Sequence, residues 1–136
     1  MYCTSQDLER RYGRRELEQL TDRDGTYGGI VDEVLEEAIA DAAAEIDGYL
    51  TDGGYALPLD PVPYLITRHA CALTRAYLYD DGRPEAVEKD AVRVLTWLEG
   101  VANGKIRLTQ TDTRQGNGAG SVEISAGRKA FTGGGY

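Results

Sequence analysis

Apolar residues recur along the first hundred positions with the period of an amphipathic helix. Between Val31 and Leu50, the positions Val31, Leu35, Ala38, Ile39, Ala42, Ile46, Tyr49 and Leu50 fall mostly three or four apart, which puts them on one stripe of a helix with 3.6 residues per turn. The spacing predicts a long helix over Asp32–Leu50. Asp32 and Glu33 suit its electropositive start and Asp52-Gly53-Gly54 supplies the stop. A second long helix is predicted from Pro63, read as a first-turn residue, to about Tyr79, with Leu65, Ile66, Ala72, Leu73, Ala76 and Tyr77 as its apolar face. A third begins at Pro84, presents Val87, Ala91, Val94, Leu95, Leu98, Val101 and Ala102, and ends at Asn103-Gly104.

Two short helices precede these. Thr4, with Asp7 three residues on, reads as the cap of a helix that stops at Gly13, and Arg14 to Leu20 forms another. Three prolines between Tyr55 and Pro63 predict an extended connector. Beyond Asn103 the period shortens: Ile106-Arg107-Leu108 and Val122-Glu123-Ile124 alternate like short strands, separated by the glycine-rich run Gln115–Ser121. The predicted fold class is mainly α: an antiparallel helical bundle of three long helices plus short N-terminal helices, with a C-terminal β-prone extension.

Charge divides the chain at the same place. Residues 1–103 carry 21 acids and 10 bases, whereas residues 104–136 carry 2 acids, 5 bases and eight of the seventeen glycines. The expectation is an acidic helical bundle over 1–103 and a Gly-rich basic arm over 104–136, too poor in apolar residues to form its own core. A net charge of −8 disfavours nonspecific binding to nucleic acid or an anionic membrane. No apolar run is long enough for a membrane span, and the N-terminus lacks the apolar region of a signal peptide. Two cysteines, Cys3 and Cys71, make no disulfide framework, so a reducing cytosol is the expected place of synthesis.

Catalytic chemistry finds few residues. The single histidine, His69, lies at the centre of an apolar helix face and is expected to be buried with one structural hydrogen bond. Ser5, Ser121 and Ser125 have no base at a recognisable spacing, and neither cysteine has a CxxC partner. Gly116-x-Gly118-x-Gly120 lacks the strand, helix and lysine of a phosphate loop. The expectation is a non-enzyme without a cofactor. Asp22, Asp24, Thr26 and Glu33 occupy the first, third, fifth and twelfth places of a calcium-loop frame, but Tyr27 stands where that frame needs glycine. The loop is therefore read as an Asx-type turn capping the next helix, with Asp22, Asp24 and Glu33 as the metal-ligand alternative.

One pattern exceeds propensity. Glu33, Glu37, Asp41 and Glu45 recur four apart, and no base lies between Asp24 and Arg68. Each such like-charge neighbour pair costs about 0.2–0.5 kcal/mol in an isolated helix. The face is either solvated or complementary to a basic partner, for which Arg107, Arg114, Arg128 and Lys129 of the arm, or Arg68 and Arg75 within the body, are candidates. The expected subunit interface comprises Ile106, Leu108, Val122 and Ile124 for strand addition, Arg114, Arg128 and Lys129 for charge pairing, and the outlying aromatics Phe131 and Tyr136.

Five blocks in order add a resemblance: Met1-Tyr2-x-Thr4 with Asp7-Leu8, Leu20-Thr21-Asp22-Arg23-Asp24-Gly25, Glu45-Ile46-Asp47-Gly48-Tyr49-Leu50, Tyr55-Ala56-Leu57-Pro58-Leu59, and Leu78-Tyr79-Asp80-Asp81. Together they resemble a family of small Mu-like phage and prophage proteins, similar to the head–tail connector (adaptor, or head-completion) proteins of long-tailed phages. The resemblance implies a helical adaptor in the virion neck. It would assemble as a homo-oligomeric ring, typically twelvefold, between the portal protein and a tail-terminator or neck protein. DNA would pass through without specific binding, and no membrane would be involved. The family carries no catalytic residues, and Tyr27-Gly28-Gly29 departs from its more acidic turn. A tail-terminator or other neck protein, and a cytosolic calcium- or ligand-responsive module built on Asp22 and Asp24, stand as alternatives.

Overall fold

A computed structural model describes residues 2–108 as five helices. These are α1 (Ser5–Tyr12), α2 (Arg14–Thr21), α3 (Asp32–Asp52), α4 (Tyr64–Leu78) and α5 (Glu85–Ala102). The mainly helical bundle expected from the apolar spacing is the observed architecture, and no strand occurs among the described residues.

Helix α1 starts on a complete capping box: the Asp7 amide donates to Thr4 Oγ1 at 3.1 Å and the Thr4 amide to Asp7 Oδ2 at 3.0 Å. Gly13 ends α1 and starts α2 within one residue at φ +94°, a backbone that a side chain would strain. The two short helices are thus a sharp corner rather than one rod. Thr21 closes α2 by donating to the Leu17 carbonyl at 2.7 Å, and its Oγ1 accepts from the Val31 amide at 2.9 Å.

The core of the molecule is α3, α4 and α5, with α3 packed most extensively on α4. The apolar stripe of α3 is buried as expected at Leu35, Ala38, Ile39, Ala42, Ile46 and Leu50. Ile66, Leu73 and Ala76 of α4 and Val87, Ala91, Val94, Leu98 and Val101 of α5 face it. Removing one fully buried leucine or isoleucine from water contributes about 1.5–3 kcal/mol, so this layer dominates stability. Pro63 and Pro84 precede their helices as N-caps, one position earlier than the expected first-turn place, with extended ψ of 142° and 151°. The end of α3 meets the end of α5: a Cβ on Gly53 would lie 2.8 Å from the Val101 carbonyl oxygen. These two helices therefore run parallel, with α4 reversed between them. The α1–α2 corner covers α4, fastened by Arg75, whose guanidinium donates to Glu16 at 2.6 and 3.1 Å and lies 4.4 Å above the Tyr12 ring.

The body continues past the charge boundary drawn from the sequence. The Ile106 amide donates to the Gly100 carbonyl at 2.9 Å, Ile106 covers Gly100, and the Leu108 amide donates to Tyr55 Oη at 2.7 Å. Ile106 and Leu108, expected to offer strands to another molecule, pack here against their own helices.

Candidate functional site

The Asp22 loop spends its carboxylates on its own backbone. Asp22 accepts from the amides of Tyr27 at 3.1 Å and Gly28 at 2.8 Å, and Asp24 Oδ1 accepts from the Thr26 amide and hydroxyl at 3.1 and 2.8 Å. The Thr26 hydrogen bonds hold the Asp24 carboxyl below its ordinary pKa. This is the Asx-type turn expected, but it does not cap the next helix: α3 begins at Asp32 behind an N-cap, Val31, that makes no side-chain cap hydrogen bond, and Thr21 ties the loop down instead. Glu33 stands exposed in the first turn of α3. Among the described residues no three His, Cys, Asp or Glu side chains gather as a metal would need.

His69 departs from expectation. Its Nε2 is buried without a hydrogen-bond partner, and its ring packs 4.6 Å from Trp97. Burial, with Arg68 adding repulsion, lowers its pKa to about 4, so at neutral pH it is an uncharged packing group. Cys71 is fully buried and Cys3 nearly so, 3.7 Å from Thr74 Oγ1. The Cys3 sulfur beside it and burial both push the Cys71 thiol up, away from a reactive thiolate.

What remains is surface charge. Glu33, Glu37, Asp41 and Glu45 all lie exposed on the outer face of α3, interleaved with exposed Ala40, Ala44 and Gly48. Helix α3 holds eight acids and no base in 21 residues, yet none of the ion pairs among the described residues uses one of them. Arg75, a candidate for relieving the stripe, is taken by Glu16, and Arg68 enters none of these pairs. Asp41, Ala44 and Glu45 line an open groove of about 520 Å³ with Tyr77 of α4. Burial, then Glu45, raises the Tyr77 phenol. The remaining expected interface residues, Arg114, Val122, Ile124, Arg128, Lys129, Phe131 and Tyr136, lie outside the described residues.

Sequence reasoning passed over one feature. Arg10, Arg11, Arg14 and Arg15 surround the Gly13 corner, all exposed. Arg10 reaches Asp7 at 2.7 Å, Arg14 reaches Glu18 at 3.1 Å and Glu9 at 3.6 Å, and Arg11 donates to Tyr64 Oη at 3.4 Å. The signal was legible as four arginines in six residues, but their clustering depended on the turn at Gly13.

The blocks that carried the family resemblance meet in space. Tyr2 Oη donates to Asp47, and Arg23 donates to the Leu78 carbonyl at 3.0 Å. They are contacts that build a scaffold, not a cleft. Fold and surface define a small helical-bundle protein whose distinctive features are charged outer faces. Its sequence matches the family described as Bacteriophage Mu, Gp36 over residues 2–125, and the chain belongs to that Mu-like phage family. It is 39% identical over 104 residues to Gene product J of Escherichia phage Mu, covering 76% of this chain and 73% of that protein. It is 34% identical over 113 residues to the Mu-like prophage FluMu protein gp36 of Haemophilus influenzae, covering 82% and 78%. No described helix is long and apolar enough to cross a membrane.

Proposed function

We propose that this chain is a non-enzymatic structural subunit of the virion neck. It is a head–tail connector that closes into a homo-oligomeric ring between portal and tail and extends the DNA channel. The observation that carries the reading is the outer face of α3, whose exposed carboxylates have no ion-pair partner among the described residues. An isolated monomer gains nothing from that repulsion, whereas a subunit docking on a basic surface does. Membership of a Mu-like phage family supports the same reading. Carboxylates facing a channel would also repel a passing polyanion rather than hold it.

The test is mass photometry and electron microscopy of the full-length protein at micromolar concentration, alone and with purified portal protein. A closed ring that binds the portal is the expected result. A monodisperse monomer that ignores the portal rejects the proposal.

A further inference from the structure

The ring reading leaves open which surfaces meet, and the body itself presents a complementary pair. We propose that the arginine corner at Gly13 of one copy docks on the outer face of α3 of the next; this rests on the connector reading above. The corner lies over α4, held there by Arg11 on Tyr64 and by Glu16 and Tyr12 on Arg75. The acidic stripe occupies the side of α3 turned away from the buried positions Leu35, Ile39, Ala42 and Ile46 that pack inward. The two patches are built from different residues: Glu9 and Arg14 of the corner come beside Asp32 at the start of α3, whereas Glu37, Asp41 and Glu45 run on along its outer face. That is the arrangement a head-to-tail contact needs, because one patch must remain free when the other is occupied.

The chemistry of the patches matches as well as their placement. Each guanidinium offers five donors in a planar fork suited to carboxylates. The Arg10 and Arg14 side chains are 71% and 61% exposed even while pairing with Asp7, Glu9 and Glu18, so donors remain for a partner. Arg15 is exposed and enters no ion pair among the described residues. On the acceptor side, Ala40, Ala44 and Gly48 keep the floor between the carboxylates low, so long arginine side chains can lie along the helix. The matching partner is a second copy because α3 carries the unneutralised acids and the corner the densest bases of the described body.

The experiment reverses charge on exposed residues of the full chain. One variant carries Glu37→Lys and Asp41→Lys, a second carries Arg10→Glu and Arg15→Glu, and a third carries all four. Sedimentation velocity in low salt reads the assembly, with far-UV circular dichroism to establish that each variant folds. Each two-residue variant is expected to lose at least tenfold in association. The four-residue variant, in which acid and base have exchanged places, is expected to regain it, as is an equimolar mixture of the first two. Two-residue variants that assemble like the parent overturn this docking while leaving the ring intact. Failure of the four-residue variant to recover also overturns it. A parent protein that stays monomeric removes both this inference and the ring.

Discussion

His69 is the one buried side-chain nitrogen left unpartnered among the described residues, and its placement has a pH consequence. The folded chain takes up the proton only near pH 4, whereas the unfolded chain does so near pH 6.5. The unfolded state therefore binds more protons between those values, and stability contributed by the neutral ring is lost as pH falls from about 6.5 towards 4. A full shift of that size corresponds to roughly 3 kcal/mol, and partial exposure reduces it to about 1–2 kcal/mol. In His69→Phe, which keeps a ring against Trp97, urea unfolding at pH 7 and pH 4.5 is expected to show a smaller loss than the parent by that amount. The sequence located this residue on an apolar face. Its missing hydrogen bond depended on the neighbouring helices.

Asp22 makes a second case at the same scale. Its carboxylate accepts two backbone amides, so Asp22→Ala is expected to lower stability by about 1 kcal/mol. Calcium is expected to leave the melting temperature of the parent unchanged. A calcium-dependent rise that vanishes in Asp24→Ala would restore the ligand-responsive alternative.

Helices were legible because their causes are local. The period of α3, the Thr4–Asp7 box and the prolines ahead of α4 and α5 each act within a few residues, so their positions could be read before any packing was known. The places where helices touch were not legible. Gly53 read only as part of a helix-end signal, yet it and Gly100 in the last turn of α5 are both close approaches. A Cβ at Gly53 would lie 2.8 Å from the Val101 carbonyl oxygen, which is backbone, whereas at Gly100 it would lie 2.7 Å from Ile106 Cδ1, the tip of a side chain. Gly53→Ala is therefore expected to cost about 1–3 kcal/mol. Gly100→Ala should cost less, because Ile106 can turn aside; chemical denaturation of the two variants side by side provides the check. If Gly100→Ala proves the more damaging, the Ile106 contact is stiffer than its terminal position suggests.

Across the described body, the outer face of α3 gathers acids with no base among them. The α3 stripe, unneutralised within the described body, predicts assembly that weakens with salt. Exposed charges interact over a screening length of about 10 Å at 0.1 M salt and about 3 Å at 1 M. Ring formation measured by light scattering is expected to fall steeply between those ionic strengths. A ring that persists unchanged at 1 M salt would instead indicate an apolar contact. Within the stretch that composition assigns to the basic arm, Ile106 and Leu108 hydrogen-bond to the body through Gly100 and Tyr55. Composition detects a change of charge, but it cannot detect that residues just past that change still touch the helices before them.

Sequence alone determined the helical class, the helix limits to within a residue or two, the Asx turn at Asp24, the acid stripe of α3 and the resemblance to a Mu-like family. All of these depend on periodicities and contacts within a few residues, or on the order of short blocks. Only the tertiary structure decided that Arg75 belongs to Glu16, that His69 Nε2 has no hydrogen-bond partner, and that four arginines converge at the Gly13 corner. Those outcomes join residues distant along the chain, and their pairing is set by packing geometry that no local spacing records.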